Sequence, residues 1–288
     1  MLAEQLPVEI INADSMQVYR FLDIGTSKPT PAQQEKVPHH LLSIINPDEE
    51  FSAAQFKKRA GQAIHDITSR GLTPLVVGGT GLYIRALTRG LCAAPGKSEE
   101  LRHELKQKAQ KEGKDALFKL LQKKDPLSAQ RISPNDTVRI IRALEVCYLT
   151  GVPISDHHRS HGFQESPYET LKIGLHRDRK ELYQRIEQRV DRMIADGLRE
   201  EVTSVLNRGY APQVKSLQSI GYKQMVSFIQ GLSSWDEAVS QIKKATKRLA
   251  KRQLTWFRHD PEIVWIKLPE QARDVPLMVK NFLKLHVN

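Results

Sequence analysis

The sequence predicts an α/β protein in which helices cover a parallel sheet, with a helical subdomain inserted into the chain. Over about the first 90 residues, short apolar segments alternate with helical signals, which is typical of β-α-β units. The same strand signal returns at Leu171–Leu175. From about residue 95 to residue 133 the chain is instead Lys-rich and helical in pattern. We therefore expect an α/β core over residues 1–94 and 134–288 and a helical insertion over residues 95–133.

The first elements follow from apolar runs and from helix start and stop signals. A strand is predicted over Val8–Ala13, and a second short strand over Leu41–Ile45. Ser52 with Gln55 three residues later is a capping-box pattern, which predicts a helix running to about Ser69. Such a box satisfies two of the backbone N–H groups left unpaired at a helix start. The alternation of strand and helix begins here.

The remaining elements rest on the same periodicities. In chain order they are a strand over Pro74–Val77, helices over Glu99–Lys111 and Asp115–Gln122, a helix from Asp136 to Gly151, a loop over Ser155–Pro167, a strand over Leu171–Leu175, a helix spanning Leu182–Met193, a helix over Trp235–Phe257 and an edge strand over Ile263–Ile266. Asp136 is a good N-cap residue, because its carboxylate can accept from the first free backbone N–H groups.

Composition restricts the class of protein. The chain has 288 residues, of which 40% are hydrophobic and 27% charged, enough for a buried core and a hydrated surface. No apolar run approaches the roughly 20 residues that a membrane-spanning helix needs, and the N-terminal residues are neither a secretory nor a transit signal. Two cysteines, Cys92 and Cys147, suit a reducing cytosol. The net charge of +11 makes a polyanionic partner plausible.

Residues suited to ligand binding follow two of the predicted strands. Asp14 comes directly after the first strand, and the small residues of Gly78–Tyr83 follow the strand over Pro74–Val77. Ligands of open α/β sheets bind outside the carboxyl ends of the strands, so Asp14 is a candidate proton acceptor or metal ligand. The alternative is that Asp14 caps a helix and the glycines only make a turn. Together, the two strand ends favour an enzyme site.

Three groups of cations could bind phosphates. Arg139 and Arg142 share one side of a predicted helix, and they could instead pair with surface acids. A second helix carries Arg185, Arg189 and Arg192 on one face, and arginine suits a diphosphate because its planar fork donates two parallel hydrogen bonds. The last long helix carries six cations, Lys243, Lys244, Lys247, Arg248, Lys251 and Arg252. This excess favours a polyphosphate-facing surface over a merely solvated one.

Several motifs recur in one enzyme family. They are Asp14–Tyr19 (DSMQVY), Asp23–Pro29 (DIGTSKP), Gly78–Tyr83 (GGTGLY), Arg185–Arg189 (RIEQR), Gly221–Met225 (GYKQM) and Lys251–Arg258 (KRQLTWFR). In their order and spacing, up to about residue 260, the chain resembles the tRNA dimethylallyltransferases, also called tRNA isopentenyltransferases. The resemblance implies a P-loop-NTPase-like parallel sheet with a helical, tRNA-binding insertion. It also implies transfer of a dimethylallyl group from dimethylallyl diphosphate to N6 of the adenosine adjacent to the anticodon.

The resemblance further implies roles for individual residues. Asp14 matches the carboxylate that accepts the N6 proton, Thr80 the threonine near the reacting centre, and Arg189 the arginine that steadies the departing diphosphate. The residues implied to contact tRNA are Asp14, Ser15, Met16, Gln17, Thr80, Arg102, Val138, Arg139, Ile140, Ile141, Arg142, Gln218, Ser219, Ile220, Gly221, Tyr222 and Lys223. Family members often carry Arg where Gln218 and Lys223 stand here. The implied cofactor is Mg²⁺, the implied partner is the tRNA anticodon stem-loop, and a cytoplasmic monomer is expected.

The chain departs from the family pattern at its start. Members begin with a strand and a G-x-T-x-x-G-K-[ST] loop that cradles the diphosphate, and the sequence resembles the family only after that point. Three explanations are open: a fragment, an internal Met taken as the start, or a naturally shortened, inactive protein. Two further functions therefore stay open beside the tRNA prenyltransferase, an adenylate isopentenyltransferase and an inactive tRNA-binding remnant.

Overall fold

The structure, a computed structural model, describes residues 2–286. The strands are β1 (Val8–Asn12), β2 (His39–His40), β3 (Thr73–Val77), β4 (Lys172–His176) and β5 (Ile263–Lys267). The helices are α1 (Pro31–Lys36), α2 (Ala53–Ser69), α3 (Gly81–Arg89), α4 (Glu99–Glu112), α5 (Lys114–Lys124), α6 (Pro126–Arg131), α7 (Thr137–Thr150), α8 (Ile154–His161), α9 (Arg179–Ala195), α10 (Leu198–Asn207), α11 (Tyr222–Ile229), α12 (Trp235–Phe257) and α13 (Asp274–His286).

The chain divides into two compact units. One consists of residues 1–88 with 168–288, and the other of residues 89–167. The segment predicted as an insertion, residues 95–133, lies within the second unit. That unit also contains α7 and α8.

The strands of the first unit are parallel, as the β-α-β rhythm predicts. One sheet has the order β2-β1-β3, and a two-stranded sheet pairs β4 with β5. Along β1, Ile11 is in register with His40 on one side and Val76 on the other. Asn12 is in register with Val77, so β1 and β3 end side by side. The predicted parallel α/β architecture is confirmed, and the residues that follow β1 and β3 meet at one edge of the sheet.

The first unit has one continuous apolar core. Ile11, Leu22, Phe56, Ile67 and Leu217 are fully buried and belong to one apolar cluster. The cluster includes residues of β1 and α2, because the apolar face of each faces the interior. The capping box at Ser52 and Gln55 is present with both of its hydrogen bonds, which confirms the predicted start of α2.

The second unit is built from helices in its described residues. Its core is formed by the buried residues Leu105, Leu117, Leu121, Ile140 and Leu144 of α4, α5 and α7. The carboxylate of Asp136 accepts from the backbone N–H of Arg139 at 3.1 Å, which confirms Asp136 as the N-cap of α7. Gly151 ends that helix in a left-handed conformation. None of the described helices, in either unit, combines the length and the apolarity that a membrane span requires.

Two predicted elements are wrong. The apolar run Leu41–Ile45 is not a strand, and the observed strand lies just before it, at His39–His40. Leu41 and Ser43 instead adopt positive φ angles of 63° and 51°. Such angles break the extended backbone that pairing needs. The predicted loop Ser155–Pro167 is helical over its first half, since it overlaps α8 up to His161. Its polar sequence obscured a helix that begins after Pro153 and ends at Gly162 in a left-handed conformation.

Candidate active site

The ends of β1 and β3 are joined by backbone contacts. The N–H of Ala13 donates to the carbonyl of Val77 at 2.7 Å, and the N–H of Thr80 donates to the carbonyl of Ala13 at 3.2 Å. A Cβ atom at Gly78 would lie 2.3 Å from the backbone carbon of Ala13. Glycine is therefore required at position 78, because no side chain fits where the two backbones approach.

Asp14 lies at this junction in a turn that fixes its carboxylate. Its Oδ1 accepts from the backbone N–H of Met16 at 2.7 Å, and its own N–H donates to Oδ1 of Asn12 at 3.1 Å. Residues 15–18 form a turn rather than a helix, so Asp14 does not cap a helix. Among the described residues, no hydrogen bond reaches Oδ2 of the half-buried Asp14. That oxygen is available to accept a proton.

Thr80 is connected to Asp14 through the next residue. The hydroxyl oxygen of Thr80 accepts from the backbone N–H of Ser15 at 2.9 Å. The same threonine begins α3, because its carbonyl accepts from the N–H groups of Tyr83 and Ile84. Thr80 therefore holds the turn that carries Asp14 against the start of α3.

The end of α12 covers the glycine loop. Gln253 donates from Nε2 to the carbonyl of Gly79 at 3.1 Å. A Cβ atom at Gly81 would lie 2.1 Å from Nε1 of Trp256. The KRQLTWFR motif, found in the sequence as a separate segment, thus packs against the GGTGLY motif.

Arg189 of α9 lies beside the loop formed by the DIGTSKP motif. Its Nε donates to the hydroxyl of Ser27 at 3.0 Å. Although Arg189 is exposed as a residue, the groups around its guanidinium remove hydration and lower its pKa. The negative charge of Asp14 opposes this shift, and the positive charge of Arg192 adds to it. The carboxylate of Asp14 therefore favours the charged form of the Arg189 guanidinium.

Gln17 links the turn after β1 to the same loop. Its Nε2 donates to the carbonyls of Thr26 at 3.1 Å and of Ser27 at 3.3 Å. The DSMQVY and DIGTSKP motifs, about ten residues apart, therefore fold into one assembly. This assembly brings together Asp14, Gln17, Thr80 and Arg189 from the residues predicted to form the site.

The segment Gln218–Lys223 contains both exposed and buried residues. Gln218 and Lys223 are exposed, and the hydroxyl of Ser219 donates to the carbonyl of Ser216 at 2.6 Å. Ile220 is half-buried, and Gly221 is buried with a φ of 92°. Gln218 and Lys223 are thus the side chains of this segment that face solvent.

Tyr222, in contrast, points into the protein. It is 1% exposed, and its hydroxyl donates to Oε1 of Glu201 at 2.7 Å. Burial raises the pKa of Tyr222, and the charge of Glu201 raises it further. A Cβ atom at Gly25 would lie 2.5 Å from the ring of Tyr222. This side chain therefore supports the DIGTSKP loop from inside.

In the second unit, two of the predicted arginines bind a buried acid. Arg102 donates to both carboxylate oxygens of Glu145, at 2.7 and 3.0 Å, and Arg142 donates to Oε2 at 2.6 Å. Burial raises the pKa of Glu145, but the hydrogen bonds from Arg102 and Arg142 outweigh it and leave the pKa lowered. Part of the capacity of both guanidinium groups is thus used inside the unit.

The rest of the segment Val138–Arg142 divides by exposure. Ile140 and Ile141 are buried in the core of the second unit, at 1% and 6% exposure. Val138 is 80% exposed, and Arg139 is exposed beside Asp136, at 3.2 Å. Val138 and Arg139 are therefore the members whose side chains face solvent most fully.

The cations of α12 fall into two sets. Lys243 and Lys247 pair with Asp191 and Glu187 of α9. The exposed residues Lys244, Arg248, Lys251 and Arg252 make no ion pair within residues 2–286. We call these four residues the basic stripe.

Some residues of the assembly were not predicted. Glu201 accepts from three backbone N–H groups of the DIGTSKP loop, and Ser27 and Gln253 make the contacts described above. Glu200 and Glu201 look in the sequence like ordinary acids of a helix start. Ser27 and Gln253 lie within recognised motifs, which was the available signal for them.

Comparison with known proteins gives a consistent result. A family model described as IPP transferase matches residues 17–260. The chain is similar to the tRNA dimethylallyltransferase of Desulfosudis oleivorans, with 48% identity over 98% of this chain and 90% of that protein.

Solved structures are also similar. The tRNA delta(2)-isopentenylpyrophosphate transferase of Staphylococcus epidermidis has a TM-score of 0.69 and 38% identity, covering 97% of this chain and 92% of that one. A eukaryotic dimethylallyltransferase acting on tRNA has a TM-score of 0.78 and 26% identity, covering 97% of this chain and 74% of that one.

Proposed function

Because the chain belongs to the IPP transferase family, we propose that it transfers a dimethylallyl group from dimethylallyl diphosphate to tRNA. The acceptor is N6 of the adenosine adjacent to the anticodon, and the product is N6-isopentenyladenosine. The chain is an enzyme, a prenyltransferase that modifies tRNA. The resemblance and the P-loop-NTPase-like parallel sheet predicted from the motifs are thereby confirmed.

One observation carries the proposed mechanism. Asp14 is held by Met16 with Oδ2 open, and Arg189 is hydrogen-bonded to Ser27 in the same assembly. A general base must lie within hydrogen-bond reach of the proton that it takes, and an arginine suits a diphosphate through its planar fork. Both residue types are present in the same assembly, at the edge of the sheet where ligands of α/β proteins bind.

Asp14 and Arg189 have different roles in the proposed reaction. N6 of the adenine attacks the carbon of the allyl group that carries the diphosphate, and the C–O bond breaks. The electron pair of that bond goes to the departing diphosphate, whose growing charge Arg189 stabilises. The N6 proton passes to Oδ2 of Asp14. Thr80 keeps the turn that carries Asp14 in place through its bond to Ser15.

The adenosine must leave its base stack to reach Asp14. Enzymes that act on an atom of a stacked base extrude the nucleotide into a pocket. The residues proposed to receive the anticodon loop are those of the turn Asp14–Gln17, together with the exposed Gln218 and Lys223. The basic stripe supports this assignment, because unpaired cations bind phosphates through release of counterions.

In the second unit, we assign tRNA contacts to the helical segment that begins α7. Val138 and Arg139 face solvent, whereas Ile140 and Ile141 shape the helix from inside. Arg102 and Arg142 both donate to the carboxylate of Glu145, and these hydrogen bonds fix the positions of the two guanidinium groups. The proposed location of the reaction is the cytoplasm, and the proposed working unit is a monomer.

Mg²⁺ is proposed as a companion of the diphosphate. No group of three or more His, Cys, Asp or Glu side chains able to hold a metal occurs in the described part of the chain. Mg²⁺ usually keeps several waters and binds through substrate phosphates. We therefore propose that Mg²⁺ would bind together with the diphosphate and would partly neutralise its negative charge.

A radiolabel experiment tests this function. The chain is incubated with labelled dimethylallyl diphosphate and either tRNA or AMP, and the label is followed into each acceptor. Label in tRNA, located by nuclease digestion to the adenosine next to the anticodon, is the expected result. Label in AMP alone would identify an adenylate isopentenyltransferase. Salt-dependent tRNA binding without label transfer would identify an inactive tRNA-binding protein.

A further inference from the structure

We infer that Glu201 is a positioning residue for the proposed prenyl transfer: it anchors the loop of the DIGTSKP motif, which in turn orients Arg189. The inference rests on the proposed function, because it assigns Arg189 to the diphosphate. Glu201 lies on α10, outside every motif on which the family resemblance depends.

The carboxylate of Glu201 accepts four hydrogen bonds, three from the loop and one from Tyr222. Oε2 accepts from the N–H groups of Asp23 at 2.8 Å and Ile24 at 2.7 Å. Oε1 accepts from the N–H of Gly25 at 3.1 Å and from the hydroxyl of Tyr222 at 2.7 Å. Hydrogen bonds to an ionised acceptor are about twice as strong as neutral ones. Three of the four bonds on this carboxylate fix three consecutive backbone units of the loop, and the fourth comes from Tyr222.

Tyr222 makes this anchor rigid. It is buried, and its ring occupies the space in which a Cβ atom of Gly25 would lie. The ring therefore blocks movement of the loop toward it. The hydroxyl of Tyr222 also holds the carboxylate of Glu201 in place. The loop is therefore held by the carboxylate on one hand and packed closely against the ring on the other.

The anchored segment leads directly to Arg189. The N–H of Ser27 donates to the carbonyl of Ile24 at 2.9 Å, so Ser27 is built onto the part of the loop that Glu201 holds. Ser27 has a φ of 49°, which an L-residue adopts only when its surroundings impose it. In this conformation the hydroxyl of Ser27 accepts from Nε of Arg189. Fixing Nε leaves the two terminal nitrogens of the guanidinium to bind the diphosphate.

Substitution of Glu201→Gln tests the anchor with little change in volume. An amide NH₂ would face backbone N–H donors, so at least one bond to the loop is lost. Glu200→Gln is the matched control, since Glu200 is the preceding residue of the same helix and is exposed. Tyr222→Phe, which removes one donor from Glu201, is the milder variant for the case that Glu201→Gln does not fold.

Two measurements are made on the full chain. Amide hydrogen exchange of the peptide containing residues 23–25 should accelerate in Glu201→Gln and stay unchanged in Glu200→Gln. Steady-state kinetics with tRNA should show kcat/KM for dimethylallyl diphosphate lowered by about 10- to 100-fold, the range that misplacement of a catalytic group causes. In a Ser27→Ala background, this loss should largely disappear, because the connection to Arg189 is already cut.

The outcomes separate this inference from the proposed function. Wild-type chain without transfer to tRNA overturns the proposed function, and the inference with it. Wild-type transfer that Glu201→Gln leaves unchanged overturns the inference alone. Unchanged exchange at residues 23–25, or a loss of kcat/KM that is fully additive with Ser27→Ala, also overturns it, because Glu201 would then act by another route.

Discussion

The backbone N–H of Ser15 donates a 2.9 Å hydrogen bond to the hydroxyl of Thr80, and this bond joins the turn after β1 to the glycine loop after β3. It places a residue of one motif directly against a residue of another, 65 positions later in the chain. The carboxylate proposed as the base, Asp14, is the residue just before Ser15. The position of Asp14 therefore depends on a hydroxyl that it does not itself contact.

Replacing Thr80 tests this dependence. Thr80→Ala removes the acceptor of the Ser15 N–H, which should lower kcat by about 10-fold or more because the base is misplaced. Loss of the bond should also cost about 1 kcal/mol of folding free energy. Thr80→Ser keeps the hydroxyl and should retain most of the activity. Steady-state kinetics and thermal unfolding of both variants check the prediction, and equal activity of the two would contradict it.

Replacing Arg189 tests the proposed diphosphate contact. Arg189→Gln keeps a side chain that can bond to Ser27 but removes the charge, so kcat/KM for dimethylallyl diphosphate should fall by about 100-fold or more. The binding affinity for tRNA should change little. Arg185→Gln is the control on the same helix, because Arg185 pairs with Glu181 and is exposed. A similar loss in both variants would show that only the general charge of α9 matters.

The basic stripe should contribute to tRNA affinity through charge alone. Arg248→Gln should weaken tRNA binding and reduce the slope of log K against log salt by about 0.7–1, as expected for one lost phosphate contact. Lys243→Gln is the matched control on α12, because Lys243 is already paired with Asp191 at 2.6 Å. Filter binding over a range of salt concentrations measures both slopes. An unchanged slope for Arg248→Gln would exclude this residue from the interface.

Glu9 should make stability depend on acid pH. Hydrogen bonds from Arg70 and His40 lower the pKa of the buried Glu9 from 4.5 to about 2, so the folded state favours the ionised form. The lowered pKa of Glu9 stabilises the folded state above pH 4.5, and this contribution is lost as the pH falls toward 2. Arg70→Gln should therefore lower Tm at pH 7, and the difference from wild type should shrink below pH 4.5.

Asp66→Asn is the control for that experiment. Asp66 also pairs with Arg70, at 2.9 Å, but it is 62% exposed, and surface pairs contribute little. Its Tm should stay close to wild type at both pH values. A difference between Arg70→Gln and wild type that stays constant from pH 7 to pH 3 would contradict the assignment to Glu9.

Much of the fold could be predicted because its signals are local. The capping box at Ser52, the N-cap at Asp136 and the 23-residue helix Trp235–Phe257 each follow from side chains within a few turns of the backbone. The strand at Leu41–Ile45 could not be placed, since apolar content does not reveal positive φ angles. Helix α8 was missed because its composition is polar, and the signals for it are only the residues at its two ends, Pro153 and Gly162.

The candidate site was predictable only where chemistry and position coincide. Asp14 follows a strand that ends at the sheet edge, so its location could be inferred from the sequence. The partner of Arg189 could not, because Ser27 lies 162 positions earlier in the chain. Likewise, Glu201 meets its loop across 176 to 178 positions. Nothing in a local pattern distinguishes it from Glu200.

Asp14→Asn tests directly whether a carboxylate oxygen of Asp14 takes the N6 proton. Asparagine retains an oxygen for the Met16 N–H, so the turn should persist and tRNA affinity and Tm should stay near wild type. We expect kcat for label transfer to an anticodon stem-loop to fall by about 100- to 10,000-fold, the range for loss of a general base. Transfer at the wild-type rate by Asp14→Asn would contradict it.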